Sequence, residues 1–177
     1  MSNQLYLWGS VILPWVTLLL LKKDDVKRYM PAALFGALAT TVIGEIALAL
    51  NWWNVKEAIF PFYHMAPYIY GAFPVGVIWI LKFTHERFWL FMFVNAVVDI
   101  ILAFPILNFT IQRGIAEIIN INNIQLFLIF LLNAVALYGY QKWQDDVLVF
   151  SESTRNSPRL QSALAKPLPE DKDDKNR

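Results

Sequence analysis

The amino-acid sequence predicts an all-α fold, an integral membrane bundle of five transmembrane helices. Its 177 residues are 57% hydrophobic and 15% aromatic, which is too apolar for an ordinary soluble domain. The charged side chains are unevenly spread, because residues 150–177 hold 11 of the 29. The rest of the chain contains five apolar stretches of about 20 residues, the length that crosses a hydrocarbon core of about 30 Å.

The five predicted spans are separated by polar or charged segments. Span one is uncharged and stops at Lys22. Pro31 suits the first turn of span two, where the missing N–H costs nothing. Pro61, Pro67 and Pro74 kink span three or confine its regular helix to the second half. The spans lie at about residues 5–21, 31–50, 61–81, 88–107 and 124–141 of a membrane domain at 1–149, before a disordered cytoplasmic tail at 150–177.

Basic residues in the loops predict the orientation of the chain. Seven lysines and arginines follow spans one, three and five, whereas only Lys56 and Arg113 follow spans two and four. Basic residues of short loops are retained on the cytoplasmic side, so we expect the N-terminus outside and the C-terminus inside. The predicted membrane-surface basic residues are Lys22, Lys23, Lys27, Arg28, Lys82 and Arg87.

The loop between spans four and five carries isoleucines at helical spacing. Ile111, Ile115, Ile118 and Ile119 fall on one side of a helix, and polar residues take the other side. This pattern predicts a short helix on the outer membrane interface, with a simple connecting loop as the alternative.

Only two charged residues, Glu45 and Asp99, interrupt the predicted spans. Ionisable groups in hydrocarbon cost several kcal/mol unless they are paired, hydrated or protonated, so each marks a candidate site. Their flanking sequences are alike, which indicates either a degenerate internal repeat or chance similarity between apolar helices. Counting inward from the outer boundary predicts one polar cluster, with Tyr68 or Tyr70 as hydroxyl donors. Its members are Glu45, His64, Asn95, Asp99 and Asn133.

Three interpretations of this cluster stay open. The first is an outward-facing site for a proton, a cation or a small polar solute. The second is a structural plug, in which protonated carboxyls bond to Asn and His across helices. The third is a zinc or manganese site of Glu45, Asp99 and His64, for which no local spacing motif exists. The sequence thus predicts no metal and no cofactor.

A stripe of small residues predicts close helix packing. Gly36, Thr40 and Gly44 recur every four residues along span two, which lets a neighbouring helix approach closely. Glu45 is adjacent to Gly44 and is expected at the edge of that contact.

Several function classes are disfavoured by composition. A net charge of +1 leaves no basic patch for nucleic acid. The chain has no cysteine, no Gly-rich phosphate loop and no His-Glu-x-x-His helix. We therefore expect a non-enzymatic protein that organises partners or moves a small ion or solute, with the lipid bilayer and a homo-oligomer or other membrane proteins as partners. The alternative is a membrane-embedded enzyme that acts on lipid with paired carboxylates.

Four segments combine aromatic, proline and membrane-edge basic residues: Arg28-Tyr29-Met30-Pro31-Ala32-Ala33-Leu34-Phe35, residues 76–84, residues 87–90 and residues 95–105. These segments resemble a family of small multipass membrane proteins of endospore-forming Firmicutes. The resemblance covers roughly residues 25–145. The family has no established activity, so the resemblance implies only a bacterial cytoplasmic membrane, in cells that sporulate, and transfers no functional residue.

Overall fold

The computed structural model describes residues 2–60 and 67–155, which form six α-helices and one small antiparallel sheet. A 3-10 turn at Leu18–Leu20 follows the first helix, and a second one at Pro67–Tyr70 precedes the third. A π-helical turn at Leu102–Ile106 joins the fourth and fifth helices. The helices are α1 (Ser2–Thr17), α2 (Lys23–Ala49), α3 (Ala72–Thr84), α4 (Phe88–Ile101), α5 (Leu107–Gln112) and α6 (Asn123–Arg155); the strands are β1 (Trp53–Val55) and β2 (Ala116–Ile118).

Four helical segments of the described chain are long and apolar enough to cross a membrane. They are Asn3–Leu20, Lys23–Ala49, Phe88–Gln112 and Asn123–Val147. Helix α3 is apolar but has only 13 residues, and it covers the second half of the third predicted span. The predicted all-α class fits this architecture.

The helices extend beyond several of the predicted spans. Helix α2 begins at Lys23, so Pro31 lies inside the helix and not in its first turn. Helix α6 continues to Arg155, which is past the predicted start of the tail at residue 150. The remainder of the predicted tail, residues 156–177, lies outside the described residues.

Helices α2 and α5 end in the same way. After α2, Asn51 adopts the left-handed conformation at φ 54°, and the amides of Asn51 and Trp52 donate to the carbonyls of Leu48 and Ala47. After α5, Gly114 also adopts the left-handed conformation, at φ 69°. Both ends are Schellman motifs, which satisfy the last carbonyls of a helix and turn the chain sharply.

The predicted interfacial helix over residues 111–119 is wrong. The left-handed Gly114 ends the helix, and the chain continues as β2, which pairs with β1 so that Trp53 lies opposite Ile118. Ile115 is buried against Leu7 and Ile59. The four isoleucines therefore do not lie on one helix, because the helix ends before the buried Ile115 and the strand β2 follows. Gly114 was the signal in the sequence against a continuous helix.

A capping box starts α6. The Asn122 side chain accepts a hydrogen bond from the Gln125 amide at 2.8 Å, and the Gln125 side chain accepts one from the Asn122 amide at 3.0 Å. The two bonds satisfy amides that a helix start leaves without partners. This fixes where α6 begins relative to the sheet.

Small residues allow close packing in the core of the unit that ends at Gln141. Ala32 and Ala33 of α2 are fully buried, as are Ile78 and Leu81 of α3. At Gly71, just before α3, an added Cβ would collide with backbone atoms of Ser10 and Val11 in α1. The missing side chain of Gly71 thus lets the backbone of α1 lie directly on the turn that begins at Pro67.

Side-chain contacts divide the loops between two ends of this unit. At one end, Lys82 in the last turn of α3 pairs with Asp25 of α2 at 3.0 Å, and Arg28 of α2 contacts His85 after α3 at 3.0 Å. At the other end, Lys56 pairs with Glu117 at 3.0 Å. The loops after α1 and α3 therefore share one end. The predicted insertion in a membrane and the predicted orientation stay predictions.

Candidate functional site

Asp99 is the buried carboxyl of the described chain. It lies in the last turn of α4, and its residue surface is 8% exposed. Its Oδ2 atom is buried and has no hydrogen-bond partner among the described residues. A buried polar atom without a partner loses the solvation it would have in water, at a cost of roughly 1–3 kcal/mol and more for a charged group. Such an atom calls for a ligand, a proton or water.

Two asparagines lie beside this carboxyl, and both direct their amide donors elsewhere. Asn95, one turn before Asp99 on α4, donates to the Phe91 carbonyl at 2.9 Å. Asn133 of α6 donates to the Thr40 hydroxyl of α2 at 2.9 Å. Thr40 in turn donates to the Gly36 carbonyl at 2.8 Å. One N–H of each asparagine amide is therefore used away from the carboxyl, and both asparagines line the same cavity as Asp99.

These groups line one small cavity of about 30 Å³. A cavity needs roughly 10–15 Å³ to hold a water molecule, so this one has room for one or two particles of that size. Apolar side chains of α3, the π-helical turn and α6 form the remaining walls. The polar lining residues are Thr40, Tyr68, Asn95, Asp99 and Asn133.

The cavity brings together three of the five residues in the predicted cluster. Asn95, Asp99 and Asn133 share it, together with Tyr68, a predicted hydroxyl donor. His64 lies outside the described residues.

Glu45 is not part of the cavity. Its side chain is exposed on the outer face of α2, together with Val42, Ile46 and Ala49. The reason is helical geometry, since successive residues point about 100° apart. With Gly44 buried, the neighbouring Glu45 turns out of the bundle. The predicted pair of carboxyls is therefore split between an interior and an exposed position.

The small-residue stripe faces the interior. Gly36, Thr40 and Gly44 are all buried. A Cβ on Gly36 would lie 2.6 Å from Leu137 of α6 and 3.2 Å from Phe73 of α3. The stripe thus brings α2 close to both helices, and Thr40 contributes a hydroxyl to the cavity as well. The polar role of Thr40 was missed from the sequence, because this residue was considered only as a small residue at a helix contact.

The predicted membrane-surface basic residues lie at one end of the bundle. Arg28 and Lys82 make the contacts described above, and the Lys82 ammonium also lies 6.0 Å from the centre of the Trp79 ring. The others, Lys22, Lys23, Lys27 and Arg87, are exposed.

A second polar group at the opposite end has no counterpart in the sequence prediction. Asn3 and Gln4 of α1 donate to the two oxygens of Glu57 at 2.7 and 2.9 Å. These hydrogen bonds, the one from Asn3 first, lower the pKa of Glu57 below its ordinary value of 4.5. The contact holds the start of α1 against the chain that follows β1. Only the fold reveals it, because the partners are more than 50 residues apart.

Comparison with known proteins adds nothing to this geometry. No protein family, curated protein or solved structure matches the chain. In the part of the chain that the structure describes, no three His, Cys, Asp or Glu side chains converge as a metal site would need. The arrangement of Asp99 and its amide neighbours is therefore the feature from which a function is argued.

Proposed function

We propose that this chain is a multipass protein of the cell membrane that binds a small monovalent cation in the Asp99 cavity. The membrane part rests on the four long apolar helices and on their outward faces. Leu5, Leu19 and Trp89 are each about 80% exposed. Large apolar side chains on the outside of a helical bundle are costly in water and favourable in lipid.

The observation that carries the cation proposal is the buried Oδ2 atom of Asp99 beside the cavity, which has no hydrogen-bond partner among residues 2–60 and 67–155. A structural plug would bond this carboxyl to its neighbours. The hydrogen bonds of the two asparagine amides go instead to Phe91 and Thr40. The cavity is lined by a carboxylate together with side chains that carry amide and hydroxyl oxygens, and oxygen ligands suit hard cations such as alkali metal ions.

One carboxylate and a cavity of about 30 Å³ favour a single positive charge. Neutralising Asp99 with one cation leaves no net charge in a setting where each ion costs several kcal/mol. A proton neutralises the same carboxylate and must compete with the cation. The cavity would therefore exchange a cation against a proton, the elementary event of ion-coupled transport.

Thermal unfolding of the purified protein in detergent micelles tests this proposal. Wild type, Asp99→Asn and Glu45→Gln are compared in sodium, potassium and choline chloride at equal ionic strength. A cation at 100 times its Kd stabilises by about 2.7 kcal/mol. For a chain of this length that is roughly 5–10 °C in Tm.

We expect sodium or potassium to raise the Tm of wild type and of Glu45→Gln, and to leave Asp99→Asn unchanged. The increase should grow from pH 6 to pH 8, because protons compete less at the higher pH. Equal Tm values in all three salts, or an increase that persists in Asp99→Asn, would overturn the proposal.

A second candidate role, assembly with other membrane helices, rests on Glu45. This carboxyl lies on an exposed apolar stripe of α2 that also carries Leu38 and Val42. A lone acidic group facing lipid is costly, and a neighbouring helix that hydrogen-bonds it reduces the cost. Crosslinking in native membranes should give a homo-oligomer that Glu45→Gln weakens. A monomer in both proteins would contradict this role.

The lipid-enzyme alternative depends on two carboxylates acting together. Glu45 lies outside the cavity that holds Asp99, so this arrangement gives the alternative no carboxylate pair.

A further inference from the structure

A larger cavity of about 190 Å³ adjoins the Asp99 cavity. Its walls come from α1, both strands, the turn that begins at Pro67, the π-helical turn, α5 and α6. They are mostly apolar and include four aromatic rings. The aromatic lining residues are Tyr6, Trp53, Tyr68 and Phe130.

The two cavities share three wall residues. Tyr68, Leu102 and Phe130 line both. Leu102 follows Asp99 by three residues, which places it about 5 Å further along the helical axis. The wall that the two cavities share therefore lies about one helical turn from Asp99 along the chain.

The larger cavity has mostly apolar walls and no carboxylate in its lining, so it offers a strongly hydrated ion little to replace its water. The hydroxyls of Ser10 and Thr110 in its wall donate to the carbonyls of Leu7 and Leu107, each at 2.7 Å. A cavity of about 150 Å³ with apolar walls stays dry and binds benzene. This one suits a single aromatic or short aliphatic group, and its aromatic rings attract an organic cation.

We propose that the ligand of this protein is a small lipophilic amine in its protonated form. The apolar body would fill the larger cavity, and the ammonium group would reach past Tyr68 and Leu102 to the Asp99 carboxylate. A chain of two carbons between ring and nitrogen spans about the required distance. This inference rests on the proposed cation site for its charged end, and on the larger cavity for its apolar end.

Isothermal titration of the full chain in lipid nanodiscs tests the proposal. The probes are 2-phenylethylamine, which is protonated at neutral pH because alkylamines have pKa values of about 10, and its neutral analogue 2-phenylethanol. Sodium chloride serves as the probe of the cation site alone. Wild type, Asp99→Asn, Ala116→Phe and Ala49→Phe are compared. Ala116 lines the larger cavity, whereas Ala49 lies on the exposed face of α2 and is the matched control.

We expect wild type and Ala49→Phe to bind the amine at least tenfold more tightly than the alcohol. Asp99→Asn should remove this preference without changing the affinity for the alcohol. Ala116→Phe should weaken both organic probes at least tenfold and leave the sodium response in place.

The outcomes separate the two proposals. A sodium response that depends on Asp99, with no amine binding, overturns this inference and leaves the cation site standing. Amine binding that is equal in wild type and Asp99→Asn, or unaffected by Ala116→Phe, also overturns it. If neither sodium nor the amine binds, both proposals fail.

Discussion

Replacing Gly71 with alanine should disrupt the packing of α1 against the turn that carries Tyr68 and should destabilise the fold. The new Cβ would collide with the Ser10 and Val11 carbonyl oxygens and the Val11 Cα. These are backbone atoms, so no side chain can rotate away and α1 itself must move. Overpacking of this kind costs typically 1–3 kcal/mol. We expect the upper part of that range, about 3 kcal/mol, or roughly 6–12 °C in Tm.

Gly76→Ala is the matched control for this change. Gly76 lies inside α3, and nothing stands within 4 Å of an added Cβ. Alanine is favoured over glycine in a helix by about 1 kcal/mol, so this variant should be slightly more stable than wild type. Thermal unfolding followed by tryptophan fluorescence and circular dichroism measures both. If Gly71→Ala unfolds at the wild-type temperature while Gly76→Ala behaves as expected, α1 does not pack on Gly71 as described.

Three further predictions concern single side chains. The folded chain holds the pKa of Glu57 below 4.5. The Glu57 carboxylate therefore contributes stability that is present above pH 4.5 and is lost as the pH falls through the folded pKa. Glu57→Gln should flatten the pH dependence of Tm below pH 5. Gly114→Ala should cost roughly 1–2 kcal/mol through its left-handed backbone alone, since open space surrounds the site; a Tm equal to wild type would contradict this. Asn133→Leu should lose a hydrogen bond worth about 0.6 kcal/mol and also weaken the sodium response; an unchanged response would remove Asn133 from the cation site.

The part of the site on α4 could be read from the sequence. Asn95 and Asp99 are four residues apart, a spacing that puts both on one face of any helix. The small-residue stripe of α2 was also visible, because residues four apart lie on one side. Such periodicity within one helix is available before the fold is known. Periodicity therefore predicts which residues share a face of one helix.

The remaining parts depend on rotation between elements, which periodicity does not give. Glu45 and Asp99 are predicted at a similar depth, yet α2 presents Glu45 outward because Gly44 packs inward. Thr40 lines the cavity and accepts a hydrogen bond from Asn133, 93 residues further along the chain. The strand pairing of β1 and β2 likewise joins residues more than 60 apart. The side of the helix that each polar group faces is decided by packing between helices.

Pro105 connects the sequence to the larger cavity. Proline has no backbone N–H, so the Ile101 carbonyl loses its usual partner four residues later. The chain responds with a π-helical turn, in which the Leu107 amide donates to the Leu102 carbonyl five residues earlier. The extra residue in this turn changes the directions of the side chains that follow it. Leu102 and Ile106, at the two ends of this turn, both line the larger cavity, and Leu102 lines the smaller one too. The proline therefore acts on the wall between Asp99 and the space proposed for an apolar ligand body, without contacting the carboxyl itself.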